Sequence, residues 1–240
     1  MGITPLGYQS QSLRRRIILK DYREKEMKYL ILAYFLLFLL WCTPIFERIP
    51  EIIENNYKNI ISIMEGVTIS GVLSLITFLG DSLISSNLKD KLVGLFFIPR
   101  SGQTIFTRIS NKAVNDDRFL ISDAISRYSG IIDNIPPQKK EKLYYENTQW
   151  YKIYSEHKKE GAITQAQTDY LLCRDLFIET LEFVVLYIIS LFVFNGTVLF
   201  SLHFIFTLLI MAVITNVSTH TKMNRFVNTV IAIDILKIKN

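Results

Sequence analysis

Ser70, Ser74, Thr77, Asp81 and Ser85 recur at spacings of four, three, four and four within an otherwise apolar stretch. At 100° per residue those spacings keep all five on one face of a helix, with Gly66 extending the stripe and Val72, Leu73, Leu75, Ile76, Phe78 and Leu79 covering the rest. A stripe of this kind supports two chemistries. Small hydroxyl residues let helices approach and hydrogen-bond across a bundle interface. Repeated by several subunits, the same residues line a water-filled path in which Asp81 forms a ring of negative charge that selects cations. An ionised carboxylate at the centre of a membrane span costs roughly 2.5–3.5 kcal/mol and is normally kept for use. Glu179 and Glu182, three apart in another apolar stretch, share a face with Ser190 and read as gating or interface acids. His203 stands alone in its stretch and reads as a hydrogen-bonded packing residue.

The elements that must position these residues are four apolar stretches, 29–46, 67–88, 176–194 and 197–217. At about 1.5 Å per residue each is long enough to cross a hydrocarbon core of roughly 30 Å. Half of the residues are hydrophobic and the mean hydropathy is +0.26, which disfavours the alternative of buried helices in a soluble core. The expected fold is an all-α membrane protein with four transmembrane helices in two hairpin-like pairs and a mainly helical cytoplasmic domain inserted between spans two and three. The domains expected are a basic tail 1–28, a first transmembrane pair 29–88, a cytoplasmic domain 89–175, a second pair 176–217 and a C-terminal tail 218–240.

Lys and Arg near span ends set topology. The N-terminal tail carries seven of them against three acids, the central block fourteen against eleven, and the C-terminal tail four against Asp234, whereas residues 47–66 carry Arg48 and Lys58 against four acids. Both termini and the central block are therefore expected on the cytoplasmic side of the membrane. Asn195-Gly196 is the short turn between the last two spans. The first span lies too deep in the chain, without a small-residue cleavage site, to read as a removable signal peptide.

The central block interleaves cations with aromatics. Arg100, Arg108, Arg118, Lys139, Lys140, Trp150 and Tyr151 are the candidate ligand-binding residues, because cations neutralise phosphates and aromatic faces stack on bases. The competing reading is that Trp150, Ile153, Tyr154 and His157, at helical spacing, form the packed side of a helix while the lysines set topology or touch anionic lipid. Residues 103–109 fit a short strand or a helical turn, 123–129 and 138–160 read as helices closed by Pro136-Pro137 and Gly161, and a further helix runs from about Thr164 without a breaker into the third span. Such a continuous helix can carry a shift of the block into the bundle when the assembly has two discrete states.

Enzyme signatures are missing from the sequence: it has no glycine-rich phosphate loop, no His-Glu-x-x-His, no Cys-x-x-Cys and no nucleophile elbow. No catalytic residue, cofactor or metal site is expected, the three histidines His157, His203 and His220 being far apart in sequence. Cys42 and Cys173 fall in different compartments of the expected topology and are not a disulfide pair.

The pattern Pro99-x-x-Gly102-x-x-x-Phe106, Asp116-Asp117-Arg118, Trp150-Tyr151-x-x-Tyr154-x-x-His157 and Leu171-Leu172-x-Arg174-Asp175, within residues 96–180, resembles small bacterial membrane effectors of anti-phage defence, the Hailong type among them. The resemblance implies a homo-oligomeric channel of the bacterial inner membrane, a tetramer being one arrangement, whose cytoplasmic part senses a nucleotide or single-stranded oligonucleotide made by a partner nucleotidyltransferase. The reading that follows is a channel or pore-forming effector gated through its cytoplasmic domain. The alternative is a non-conducting membrane anchor or sensor that recruits a soluble partner through the block; a lipid-directed enzyme lacks a catalytic constellation.

Overall fold

The computed structural model describes residues 27–43, 57–95, 98–194 and 197–239, without the side chains of residues 57–59, 62, 78, 81, 82, 238 and 239. The basic tail to residue 26, the end of the first expected span, the first half of the loop after it, and the Asn195-Gly196 turn lie outside the described residues.

The described residues form helices joined by turns and short loops, with no strand among them. The helices are α1 (Met27–Cys42), α2 (Tyr57–Leu83), α3 (Ser86–Val93), α4 (Ile105–Ser110), α5 (Ile121–Ile132), α6 (Lys139–His157), α7 (Gly161–Val193) and α8 (Leu202–Lys239). Helices α7 and α8, of 33 and 38 residues, are long and apolar enough to cross a membrane. Met27–Cys42 and Ile63–Thr77 are shorter apolar helical segments.

Local chemistry explains most boundaries. Helix α1 stops just before Thr43-Pro44, where the proline ring disfavours helical geometry in the residue ahead of it. The apolar stretch 67–88 is not one helix: α2 ends at Leu83, and the Ser85 hydroxyl caps α3 by accepting the Leu88 amide at 3.4 Å. Ser201 caps α8 in the same way, accepting the Phe204 amide at 3.3 Å. Residues 103–109 resolve as helix, because α4 begins right after a single 3₁₀ turn, Ser101–Gln103. Gly161 opens α7 instead of closing α6, which ends at His157.

The chain divides into two compact units, Met1–Lys89 with Asp175–Thr215 and Asp90–Arg174 with Asn216–Asn240. In the first, Tyr34, Phe38, Cys42, Ile69, Leu73, Phe183, Tyr187, Phe204 and Leu208 form one buried core. Its aromatic rings meet edge to face, Tyr187 with Phe204 at 5.0 Å and Phe38 with Phe204 at 5.8 Å. The outside of this unit is apolar too: Leu32, Leu36 and Leu40 of α1, Val72, Leu75 and Leu79 of α2, and Phe192 of α7 are all exposed.

The second unit packs α4, α5, α6 and the start of α7 with the last part of α8. Residues 218–239 of the segment read from sequence as a tail belong to α8, and Met223, Phe226, Val227, Val230 and Ile231 are buried. Trp150 stacks on Tyr154 at 5.5 Å and meets Phe226 edge-on at 5.5 Å. Phe226 in turn stacks on Tyr170 at 6.3 Å.

Candidate functional site

Within the first unit, the serine and threonine stripe of α2 faces the interior. Ser70 and Thr77 are buried. Their hydroxyls donate back to their own helix, Ser70 to the Gly66 carbonyl at 2.7 Å and Thr77 to the Leu73 carbonyl at 3.0 Å. Ser74 is half-buried beside an apolar groove whose lining includes Ile31, Leu32, Phe35, Gly71 and Leu75, and its Oγ is enclosed without a hydrogen-bond partner. Ser85 is exposed and serves as the cap of α3. Asp81 lies in α2, its side chain outside the described residues.

One of the two acids of α7 reaches α2. Glu179 is fully buried, and the Glu182 carboxylate lies against Gly80, where a Cβ would come within 2.8 Å of Oε2. One residue on from Glu179, Thr180 hydrogen-bonds the Tyr34 hydroxyl at 2.8 Å and donates to the Leu176 carbonyl. Ser190, on the face of Glu179 and Glu182, is buried and donates to the Tyr187 carbonyl at 2.7 Å. Lys89 and Asp175 form a buried ion pair at 3.5 Å. His203 is exposed near Trp41, ring centroids 6.2 Å apart.

In the second unit the candidate ligand residues do not converge on one point. Arg100 pairs with Asp90 at 3.2 Å, and Asp90 also accepts Arg174 at 3.1 Å and the Tyr170 hydroxyl at 2.9 Å. Arg118 forks onto Asp116, Nε to Oδ1 at 2.8 Å and Nη2 to Oδ2 at 2.6 Å, and donates to Thr229 at 2.8 Å. Those bonds hold the Asp116 carboxyl below the usual carboxylate range despite partial burial. Arg108 bonds neutral acceptors, Asn224 Oδ1 at 3.1 Å and the Ser101 carbonyl at 3.4 Å, while its buried Nε has no hydrogen-bond partner. Burial pushes the Arg108 guanidinium pKa down, with Glu146 opposing. Lys139 and Lys140 are exposed in the first turn of α6.

Trp150 and Tyr151 part company. Trp150 is buried over Gly102, where a Cβ would stand 3.0 Å from the indole ring, so glycine allows this contact. Tyr151 is 58% exposed. Glu146, one turn before Trp150, is fully buried and accepts the Thr107 amide at 3.0 Å and the Thr107 hydroxyl. Thr107 is the third residue of α4, so Glu146 satisfies a first-turn amide that would otherwise lack a partner.

Sequence reasoning missed the tightest polar cluster. Asp234 of α8 accepts His157 Nε2 at 2.9 Å, the Tyr128 hydroxyl at 2.7 Å and Arg127 Nε at 3.3 Å. Glu156, His157 and Asp234 place ligand atoms within 4.8 Å of one another and are the set that a metal would use. Asp234 is already saturated by three donors, one of them a guanidinium, so the arrangement reads as a hydrogen-bonded carboxylate tying α5, α6 and α8 together. The apolar spacing Met223, Phe226, Val227, Val230, Ile231 was the available signal that Asp234 lies on a packed helix.

Burial raises the Asp234 carboxyl pKa, but the bonds from His157, Tyr128 and Arg127 outweigh it and leave it below the ordinary value. A depressed carboxylate stabilises the fold above the unfolded pKa, about 3.9 for Asp, and that stability is lost as pH falls through the folded value. Acid titration followed by the fluorescence of Trp150, in a Trp41→Phe background, is expected to show unfolding of this unit below about pH 4. Asp234→Asn should flatten that transition and lower stability at neutral pH; an unchanged acid limb would assign the transition to other carboxylates.

No protein-family model matches the chain, and neither a curated protein nor a solved structure does.

Proposed function

We propose that the chain is an oligomeric four-span channel of the bacterial inner membrane, with both termini cytoplasmic, in which the second unit controls conduction on binding a nucleotide or single-stranded oligonucleotide. The observation that carries the reading is acidic side chains inside an apolar bundle: Glu179 fully buried and Glu182 against Gly80, in a unit whose exterior is also apolar. Helices apolar on both their inner and outer faces suit lipid, and ionisable groups kept among them are retained for ion or proton pathways. The resemblance to Hailong-type effectors supports the ligand class and a role in anti-phage defence, with a partner nucleotidyltransferase as the source of the signal.

In the channel, Ser74, Thr77 and Asp81 on α2 and Glu179 and Glu182 on α7 supply the polar groups along the path, and Asp81 sets cation preference. The path forms in the assembled homo-oligomer. The anchor reading has its own supporting observation, since the hydroxyls of Ser70 and Thr77 are buried and turned onto their own helix.

Planar-bilayer recording of the purified oligomer separates the two. Cation conductance that Asp81→Asn and Glu182→Gln each lower several-fold, with assembly unchanged by size-exclusion chromatography, is the expected result. Absence of conductance with and without nucleotides and short oligonucleotides, from correctly assembled protein, would establish the anchor instead. Thiol reagents that react only in water should modify Ser74→Cys and Thr77→Cys and spare Leu75→Cys and Leu79→Cys.

A further inference from the structure

Helix α6 buries Glu146 and Trp150 on one side. Tyr144, Thr148, Tyr151 and Ser155 fall on the opposite side at 100° per residue. Tyr144 is 75% and Tyr151 58% exposed, high for aromatic rings. Lys140, Lys152, Lys158 and Lys159 flank these rings, all exposed and none in an ion pair among the described residues, against Glu141 and Glu156. The hydroxyls of Thr148 and Ser155 turn back onto the helix, donating to the Tyr144 and Tyr151 carbonyls at 2.8 Å each. The chemistry this face offers outward is therefore tyrosine rings and lysine ammoniums.

We propose that this face of α6 docks on a bilayer surface rich in anionic phospholipid. The inference rests on the membrane reading above. Tyrosine rings settle at headgroup level, with an apolar body and a polar tip, and lysine stems lie along the acyl boundary while their ammoniums reach phosphate. Lysines clustered beside amphipathic aromatic rings are attracted to anionic headgroups. Two further features favour lipid over other occupants. A single convex helix face has no groove to track a nucleic-acid strand, which strand-binding surfaces use. A second copy of the same face would bring like charges together. The spans hold the chain at the bilayer, so weak contacts operate at high effective concentration.

The test uses the full chain in lipid nanodiscs, with Cys42 and Cys173 replaced by serine and Thr148→Cys carrying a polarity-sensitive fluorophore. In discs of phosphatidylcholine mixed with phosphatidylglycerol, emission is expected to shift to shorter wavelength and to be quenched by spin-labelled lipid. In phosphatidylcholine alone, both effects should be lost. Salt near 1 M, where the screening length falls to about 3 Å, should reverse the shift. Replacing Lys140, Lys152, Lys158 and Lys159 with glutamine should abolish it in protein that still incorporates. An identical spectrum in both lipid compositions overturns the proposal. So does a shift produced by a short single-stranded oligonucleotide in discs of either composition without any lipid response, which would assign the face to nucleic acid. Failure of the chain to enter discs at all refutes the membrane reading; entry with a silent label refutes only the docking.

Discussion

Asp175→Ala is expected to destabilise the protein by about 3–5 kcal/mol, the range for removing one partner of a buried ion pair. Lys89 and Asp175 have side chains only 6% and 2% exposed, with Nζ and Oδ1 3.5 Å apart. Taking away the carboxylate removes an anionic partner from a desolvated ammonium, and that penalty exceeds whatever attraction the pair contributed. The pair itself is a weak source of stability, because both ions had to leave water. Lys89→Met combined with Asp175→Leu should therefore recover most of the loss, even though it removes the whole interaction. The midpoint of thermal aggregation in detergent, read by size-exclusion chromatography, checks both. A double variant as unstable as the single one would mean that Asp175 acts through its other contacts and not through Lys89.

Trp150→Ala is expected to cost about 3–5 kcal/mol, as for other large aromatic truncations in a core. The indole stacks on Tyr154, meets Phe226 edge-on and covers Gly102. Its removal opens a cavity between α6, α8 and the turn before α4 that none of these can close alone. Tyr151→Ala, one residue away and 58% exposed, should change stability by no more than about 0.5 kcal/mol. Denaturant titration of the two variants, followed by far-ultraviolet circular dichroism, measures the contrast. Equal effects would mean that Tyr151 is packed in the assembled protein.

That contrast marks how far the sequence could be read. Trp150, Ile153, Tyr154 and His157 at helical spacing identify the buried side of α6, and both Trp150 and His157 lie there. Since 164–175 holds no breaker, α7 was legible from about Thr164 as one helix entering an apolar stretch. The break between α2 and α3 was not, because Ser85 fits a polar stripe and a helix cap equally well, and only the chain's turn after Leu83 decides between them. The arginines show a second limit. Arg118 finds Asp116 two residues away, a local pairing hidden within a run of charges, while Arg108 reaches Asn224 across 116 positions. Composition gives no preference between a carboxylate partner, a neutral amide and a phosphate, so the list of cations was readable and their engagement was not. Asp234 illustrates the same point, since its three donors come from two other helices.

The hydroxyls bonded to their own helices have a bearing on biogenesis. Ser70 and Thr77 in α2, Thr180 in α7 and Thr207 and Thr215 in α8 each donate to a carbonyl four residues back. A polar side chain satisfied in this way asks little of a neighbouring helix, so in the proposed membrane arrangement the apolar part of α8 would partition from the translocon into lipid singly, before any bundle exists. Helix α7 differs, because Glu179 is fully buried and the Glu182 carboxylate lies against Gly80 of α2. On the membrane reading, insertion and assembly would then separate into two stages, with α7 as the helix whose lateral release waits on a companion.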